Sequence, residues 1–178
     1  MSSWIQTHTG IMVDPLEFTV DMLAIEDIAH ALSHQCRYSG HCSEFYSVAE
    51  HSNRVAKLLY ELSGERILAL MGLMHDAPEA YLVDLPRPLK QSEVLGRAYR
   101  AYEGMIWNCV ARKYGLSYTL PQQVHWADDV LLITEIRDLM PSVSGMPDEP
   151  KPLSEAIVPV TSKEAKAEFL ALFEEYNK

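Results

Sequence analysis

His51, His75, Asp76 and Asp128 are side chains that can ligate a metal, and the residue pattern around each aims it at an apolar interior. His75 and Asp76 directly follow "ILALMGLM" (67–74), a run with no polar face that reads as a helix buried on every side. An ionised carboxylate drawn into such a place needs a hydrogen-bond donor, an opposite charge or a metal ion beside it. His51 shares a helical stripe with Val48 and Val55. Asp128 falls among Val124, Leu131, Leu132 and Leu139, with Glu135 two turns on, whereas Asp129 points toward Ile133 and Ile136. One inward histidine is usually just hydrogen-bonded, but four such groups converging on one small core point to a metal ion. Two imidazoles and two carboxylates suit Zn, Co, Mn, Fe or Ni and are poor for copper(I). With a coordination position open, a bound water would have its pKa lowered from 15.7 to about 7, which is the chemistry of a hydrolase.

The elements that must position these groups are helical. Residues 1–20 suggest a short irregular strand pair turning at Gly10, and apolar spacing then predicts a helix from Asp21 to Ser33 followed by a polar loop. Ser47 and Glu50 form a capping-box pattern that should open a helix with Val48, His51, Val55, Leu58 and Leu62 inward. The buried helix over 66–76 should stop near Pro78, leaving "VDLPRPLK" as a loop. The longest helix is expected over 92–114, with Leu95, Tyr102, Ile106, Cys109 and Val110 on one side and Gly115 ending it. Another should begin at Pro121 and end before Pro141, with "PSVSGMPDEPKP" as a surface loop. A second capping box, Thr161 with Glu164, should open a last helix burying Phe169, Leu172, Phe173 and Tyr176. The expected fold class is all-α, as a single domain over 1–178.

Composition narrows the function. The chain has 178 residues, is 48% hydrophobic and carries a formal charge of -10, which opposes binding to a nucleic-acid polymer. Cys36, Cys42 and Cys109 form no C-x-x-C pair and leave an odd thiol, so a reducing, cytoplasmic location is expected. No uninterrupted apolar run is long enough to indicate membrane insertion, and the first residues do not read as an export signal.

The blocks Glu50-His51, His75-Asp76 and Ala127-Asp128, in that order, resemble the HD-domain metal-dependent phosphohydrolases, an all-helical family. "CRYSGHCSEFYSVAEHS" and "HDAPEAYLVDLPRPLK" resemble its small deoxynucleotide-hydrolysing branch, which includes bacterial 5'-deoxynucleotidases and phage-encoded dATP triphosphohydrolases; the likeness runs from Thr7 to Arg137. It implies that His51, His75, Asp76 and Asp128 are the metal ligands, that Glu79 handles a proton or orients water beside Asp76, that Arg37 holds phosphate and that Asp84 contacts the sugar. Arg87 and Lys90 add positive charge on one loop of an acidic protein, a local reversal that suits polyphosphate. His41 is either a phosphate donor or a surface histidine, and Trp4, Ile5 and Ile25 either border a base pocket or belong to the core.

The activity this implies is hydrolysis of dATP to deoxyadenosine and triphosphate, with a 5'-deoxynucleotidase acting on dNMPs, a non-catalytic nucleotide sensor and a structural metal site as alternatives. The implied cofactor is a divalent transition metal, Zn, Co or Mn foremost, with Mg at a second site carried by the triphosphate. The expected partner is a small deoxynucleotide, with no membrane or nucleic-acid polymer, and the expected assembly is a homo-oligomer.

Overall fold

The computed structural model describes residues 4–141 and 149–178, and its architecture is all-α. Two short antiparallel strands, β1 (Ile5–Gln6) and β2 (Met12–Val13), form a hairpin whose turn uses Gly10 at φ 91°, a conformation glycine adopts without strain. Helix α1 (Ile25–His34) starts four residues later than its apolar spacing suggests, because Leu23 and Ala24 are extended after a 3-10 turn at Val20–Met22. Asp27, in its first turn, accepts hydrogen bonds from the backbone N–H and hydroxyl of Thr9, both at 2.7 Å, and so ties the hairpin to the helix.

Helix α2 (Val48–Ser63) is capped by Ser47, whose hydroxyl accepts from the Glu50 N–H at 3.1 Å. The capping box is only half formed: the Glu50 carboxylate turns instead to Arg54 and to the Val160 N–H. Leu62 is exposed, and Leu59 takes the inward position expected of it. Helix α3 (Arg66–Met74) is buried from Leu68 onward but exposes Ile67. It lies close to α2 at Gly72, where a Cβ would fall 2.5 Å from the Leu59 Cδ1 and 3.2 Å from the Val55 Cγ1.

After the turn that carries His75 and Asp76 comes a short helix α4 (Glu79–Leu82). The segment expected as a loop contains a further turn of helix, α5 (Arg87–Lys90), with Pro86 and Pro88 fixing backbone angles at its start. Helix α6 (Leu95–Tyr114) is the longest at 20 residues and ends on Gly115 at φ 67°; Ile106 and Val110 are buried, Tyr102 and Cys109 partly so, and Leu95 is exposed. Helix α7 (Gln122–Leu139) follows Pro121. Helix α8 (Ser162–Tyr176) opens with a complete Thr161–Glu164 capping box and buries Phe169, Leu172, Phe173 and Tyr176 against α1, α2 and α3. Most of the surface loop expected before it lies outside the described residues.

Most of the buried apolar residues form one continuous cluster that includes Ile28, Leu32, Val55, Leu70, Leu73, Leu131 and Phe169. No helix among the described residues is long and apolar enough to cross a membrane. All three cysteines are free, and the Sγ atoms of Cys36 and Cys42 lie 3.4 Å apart.

Candidate metal centre

Two helices and a turn bring the histidines and aspartates together. α2 supplies His51 from its first turn, the turn after α3 supplies His75 and Asp76, and α7 supplies Asp128. His51, His75 and Asp76 each offer a ligand atom, and these atoms lie within 4.8 Å of one another. Asp76 Oδ2 is 3.2 Å from His75 Nε2 and 3.8 Å from His51 Nε2. Asp128 Oδ1 is 3.1 Å from His51 Nε2. Asp76 and Asp128 are only partly covered, at 16% and 26% side-chain exposure, so the group forms the floor of an opening rather than a sealed interior site.

The arrangement fits a metal ion. Nε2 of His51 and Nε2 of His75 are both buried and, despite nearby carboxylates, neither has a hydrogen bond of acceptable alignment. Each ring is held through its other nitrogen. His75 Nδ1 faces the Gly72 carbonyl at 2.7 Å, an oxygen that can only accept, so Nδ1 carries the proton. His51 Nδ1 faces Glu135 Oε1 at 2.6 Å. Donation from Nδ1 leaves the Nε2 lone pair directed at the cluster, which is how metal-binding histidines are usually oriented. A divalent cation would satisfy both orphaned nitrogens at once.

Electrostatics point the same way. Burial opposes ionisation of Asp76 and Asp128, yet His75 holds the first, and His51 the second, well below the usual carboxylate range. Burial likewise works against a charged His75, but Asp76 outweighs it and raises the ring from 6.5 to about 9. A raised histidine stabilises the folded metal-free protein fully below pH 6.5, and that contribution is lost as pH rises through 9. Metal binding requires neutral rings, and His51 too is raised, burial and Arg37 being outweighed by Glu135 and Asp128. Near pH 7.5 each ion should therefore displace at least one proton, and apparent affinity should climb with pH until about 9. Calorimetry in two buffers of different ionisation enthalpy measures that proton; none released would contradict it.

A cavity of about 400 Å³ opens beside the cluster, walled by Arg37, Tyr38, Asp76, Glu79, Asp84, Arg87, Lys90 and Asp128. Glu79, at the start of α4, is buried rather than surface-exposed; its Oε1 accepts from Lys90 Nζ at 2.7 Å and its Oε2 is buried with no hydrogen bond. Burial, reinforced by Asp76 and Asp84, pushes its carboxyl well above the usual range. Asp84 is placed by Gln35, whose side-chain amide donates to the Glu79 carbonyl and accepts from the Asp84 N–H, both at 2.9 Å. Between them Val83 sits at φ 72°, a strained conformation for a β-branched residue, with its carbonyl held by the Tyr99 hydroxyl at 2.7 Å.

Each predicted cation has a partner. Arg37 pairs with Glu135 at 3.0 Å and turns Nη1 toward Asp76 at 3.7 Å; Arg87 lies 3.3 Å from Asp129; Lys90 bridges Glu79 and Glu103. His41 is exposed beyond the left-handed turn at Tyr38 and Ser39 and does not line the cavity. Trp4 and Ile5 are exposed on the hairpin and Ile25 packs at the core edge, so none borders this cavity. A second opening of about 420 Å³, with Trp107, Tyr118 and His125 in its walls, also reaches Asp76 and Asp128. Sequence spacing gave no sign of Gln35, Tyr38 or Tyr99 at the site; Glu135 was visible on the Asp128 face of its helix, without a role.

No family model matches the chain. It is 39% identical to the uncharacterized protein YfdR of Escherichia coli (strain K12) over 137 residues, which cover 77% of this chain and 72% of YfdR. It is 35% identical to the uncharacterized protein RCAP_rcc00048 of Rhodobacter capsulatus over 127 residues, covering 68% of this chain and 63% of that protein. The extent of the first match shows that the chain belongs to the same protein family as YfdR.

Proposed function

We propose that this protein is a phosphohydrolase of the HD-domain type, dependent on a divalent transition metal, Zn, Co or Mn foremost, and that it cleaves 2'-deoxynucleotides at the 5' phosphate ester. One observation carries the proposal: two buried, orphaned histidine nitrogens lie beside Asp76, and Asp76 itself lines a cavity whose wall holds a buried Glu79 and the cation Arg37. The wall presents four carboxyl groups, Asp76, Glu79, Asp84 and Asp128, against three cations, Arg37, Arg87 and Lys90, so a divalent ion is also what would make it attractive to phosphate.

Held by His51, His75, Asp76 and Asp128, such an ion would supply a water acidified from 15.7 to about 7 and a Lewis acid for a phosphoryl oxygen. Arg37 presents the outer edge of its guanidinium to the phosphate, a task suited to a planar fork of donors. Glu79 takes up or delivers a proton next to the reacting oxygens, with Lys90 holding its Oε1. Asp84 accepts a hydrogen bond from the sugar 3'-hydroxyl; among the described residues no hydrogen bond to its carboxylate competes for that place. The two openings that meet at Asp76 and Asp128 leave room for both ends of an extended substrate.

The favoured reaction is dATP to deoxyadenosine and triphosphate. A 5'-deoxynucleotidase acting on dNMPs is the second reading, supported by the ion pairs of Arg87 and Lys90, which leave less free positive charge for a long phosphate chain. Product separation after incubating the metal-loaded protein with each dNTP and dNMP distinguishes them: intact triphosphate is expected from dATP, whereas much faster cleavage of dAMP transfers the assignment to the second reading. A 2',3'-dideoxy substrate should react about tenfold to a hundredfold more slowly, the cost of leaving Asp84 unpaired, and Asp84→Ala should erase that difference. An equal preference in both proteins would remove Asp84 from the sugar site.

A further inference from the structure

Glu135 is fully buried on α7, and its two oxygens face different halves of the site. Oε1 lies 2.6 Å from His51 Nδ1. Oε2 accepts from Arg37 Nε at 3.0 Å and from the Tyr38 hydroxyl at 2.6 Å. We infer that Glu135 is a positioning residue that couples the two halves, fixing the tautomer of His51 for a metal ion and the direction of Arg37 for a phosphate group. The inference deepens the proposed function and rests, for its arginine half, on the phosphate role given to Arg37.

The chemistry of the carboxylate explains both effects. An ionised carboxylate only accepts hydrogen bonds, so His51 must carry its ring proton on Nδ1 and keep Nε2 bare. By engaging Nε of Arg37, the same group uses the inner edge of the guanidinium and leaves the terminal N–H groups facing Asp76 and the cavity. Tyr38 and Ser39 sit at φ 56° and 53°, values that residues with a Cβ adopt reluctantly. The Tyr38 hydroxyl on Glu135 is one of the long-range ties, with Arg37 Nε on the same carboxylate and the Ser43 N–H on the Leu139 carbonyl, that hold this turn over the site. A glutamine at 135 would keep size and lose the one-way character, because its NH₂ can donate to His51 Nδ1 and move the ring proton to Nε2.

The test compares wild type with Glu135→Gln and Tyr38→Phe. Nitrogen NMR of the histidine rings in metal-free protein, at a pH where the His51 ring is neutral, should report His51 with its proton on Nδ1 in wild type and Tyr38→Phe, and a shift toward the Nε2–H form in Glu135→Gln. Zn(II) affinity, read by competition with a chelator, should fall about 10- to 100-fold in Glu135→Gln and stay at the wild-type value in Tyr38→Phe. Affinity of the Zn(II)-loaded proteins for inorganic phosphate and tripolyphosphate should fall severalfold in both variants. An unchanged tautomer with unchanged Zn(II) affinity in Glu135→Gln would overturn the inference, as would a loss of Zn(II) affinity in Tyr38→Phe equal to that in Glu135→Gln. Should Glu135→Gln not fold, Tyr38→Phe, which removes a single hydroxyl, still decides it: weakened phosphate binding with intact Zn(II) binding is expected, and the reverse overturns it. Wild-type protein that binds Zn(II) but no phosphate would sink the phosphate role of Arg37 and the arginine half with it, while the tautomer and Zn(II) measurements would still read the histidine half.

Discussion

Asp76→Ala is expected to remove bound metal and hydrolytic activity together, while Asp129→Ala retains both. Asp76 Oδ2 is within 3.2 Å of His75 Nε2 and 3.8 Å of His51 Nε2, and its charge also faces Arg37 at 3.7 Å. Removing it takes a negative ligand from between two neutral imidazoles, so the loss in affinity should exceed the roughly 10- to 100-fold that follows from removing a supporting contact. Asp129 is half-exposed and pairs at 3.3 Å with Arg87, whose guanidinium also lies 3.7 Å from Asp128. Surface pairs of that kind contribute little, about 0–1 kcal/mol. Elemental analysis after metal loading, alongside a hydrolysis assay, reads both variants; equal loss from Asp129→Ala would move the functional centre to the Arg87 pair.

Glu79→Gln should keep the metal and the substrate affinity and lose turnover. Its carboxyl lies in a buried wall position where burial and the charges of Asp76 and Asp84 favour the protonated form, and Lys90 holds one oxygen while the other is free of hydrogen bonds. A group poised in that way is suited to exchanging a proton, and glutamine fills the same space without a proton to exchange. General acid or base contributions are about 10²- to 10⁴-fold, so kcat should fall by roughly that factor with KM little changed. Normal turnover would reduce Glu79 to a structural partner of Lys90, and a raised KM with unchanged kcat would make it a binding residue.

The parts of the fold that were legible in the sequence depend on neighbours along the chain. The inward phase of Asp128 follows from about 100° per residue of helix, and the Thr161–Glu164 box is a contact across three residues. The Ser47–Glu50 pattern promised the same and delivered half of it, because Arg54 and the Val160 N–H compete for the Glu50 carboxylate, the second from 110 residues away. Helix α5 was missed because two prolines read as a loop, although proline is at home in a first helical turn. The supporting contacts of the site have no local signal at all: Glu135 meets His51 across 84 residues and Arg37 across 98, and Gln35 spans 44 and 49 residues to the α4 turn. Charge was visible in Arg37, Arg87 and Lys90, but not the carboxylates that neutralise them, and those partners are what now bear on the length of phosphate chain the site can hold.

The central claim is that water attacks phosphorus at this site with the help of a bound divalent metal. Hydrolysis of dATP in H₂¹⁸O by protein loaded in turn with Zn(II), Co(II) and Mn(II) tests it directly, with the products resolved by mass spectrometry. One ¹⁸O should appear in the triphosphate and none in deoxyadenosine; with dAMP as the substrate, the label should likewise enter only inorganic phosphate. Label in the nucleoside hydroxyl would put the attack on carbon, and no hydrolysis of either nucleotide with any of these metals would contradict the claim outright.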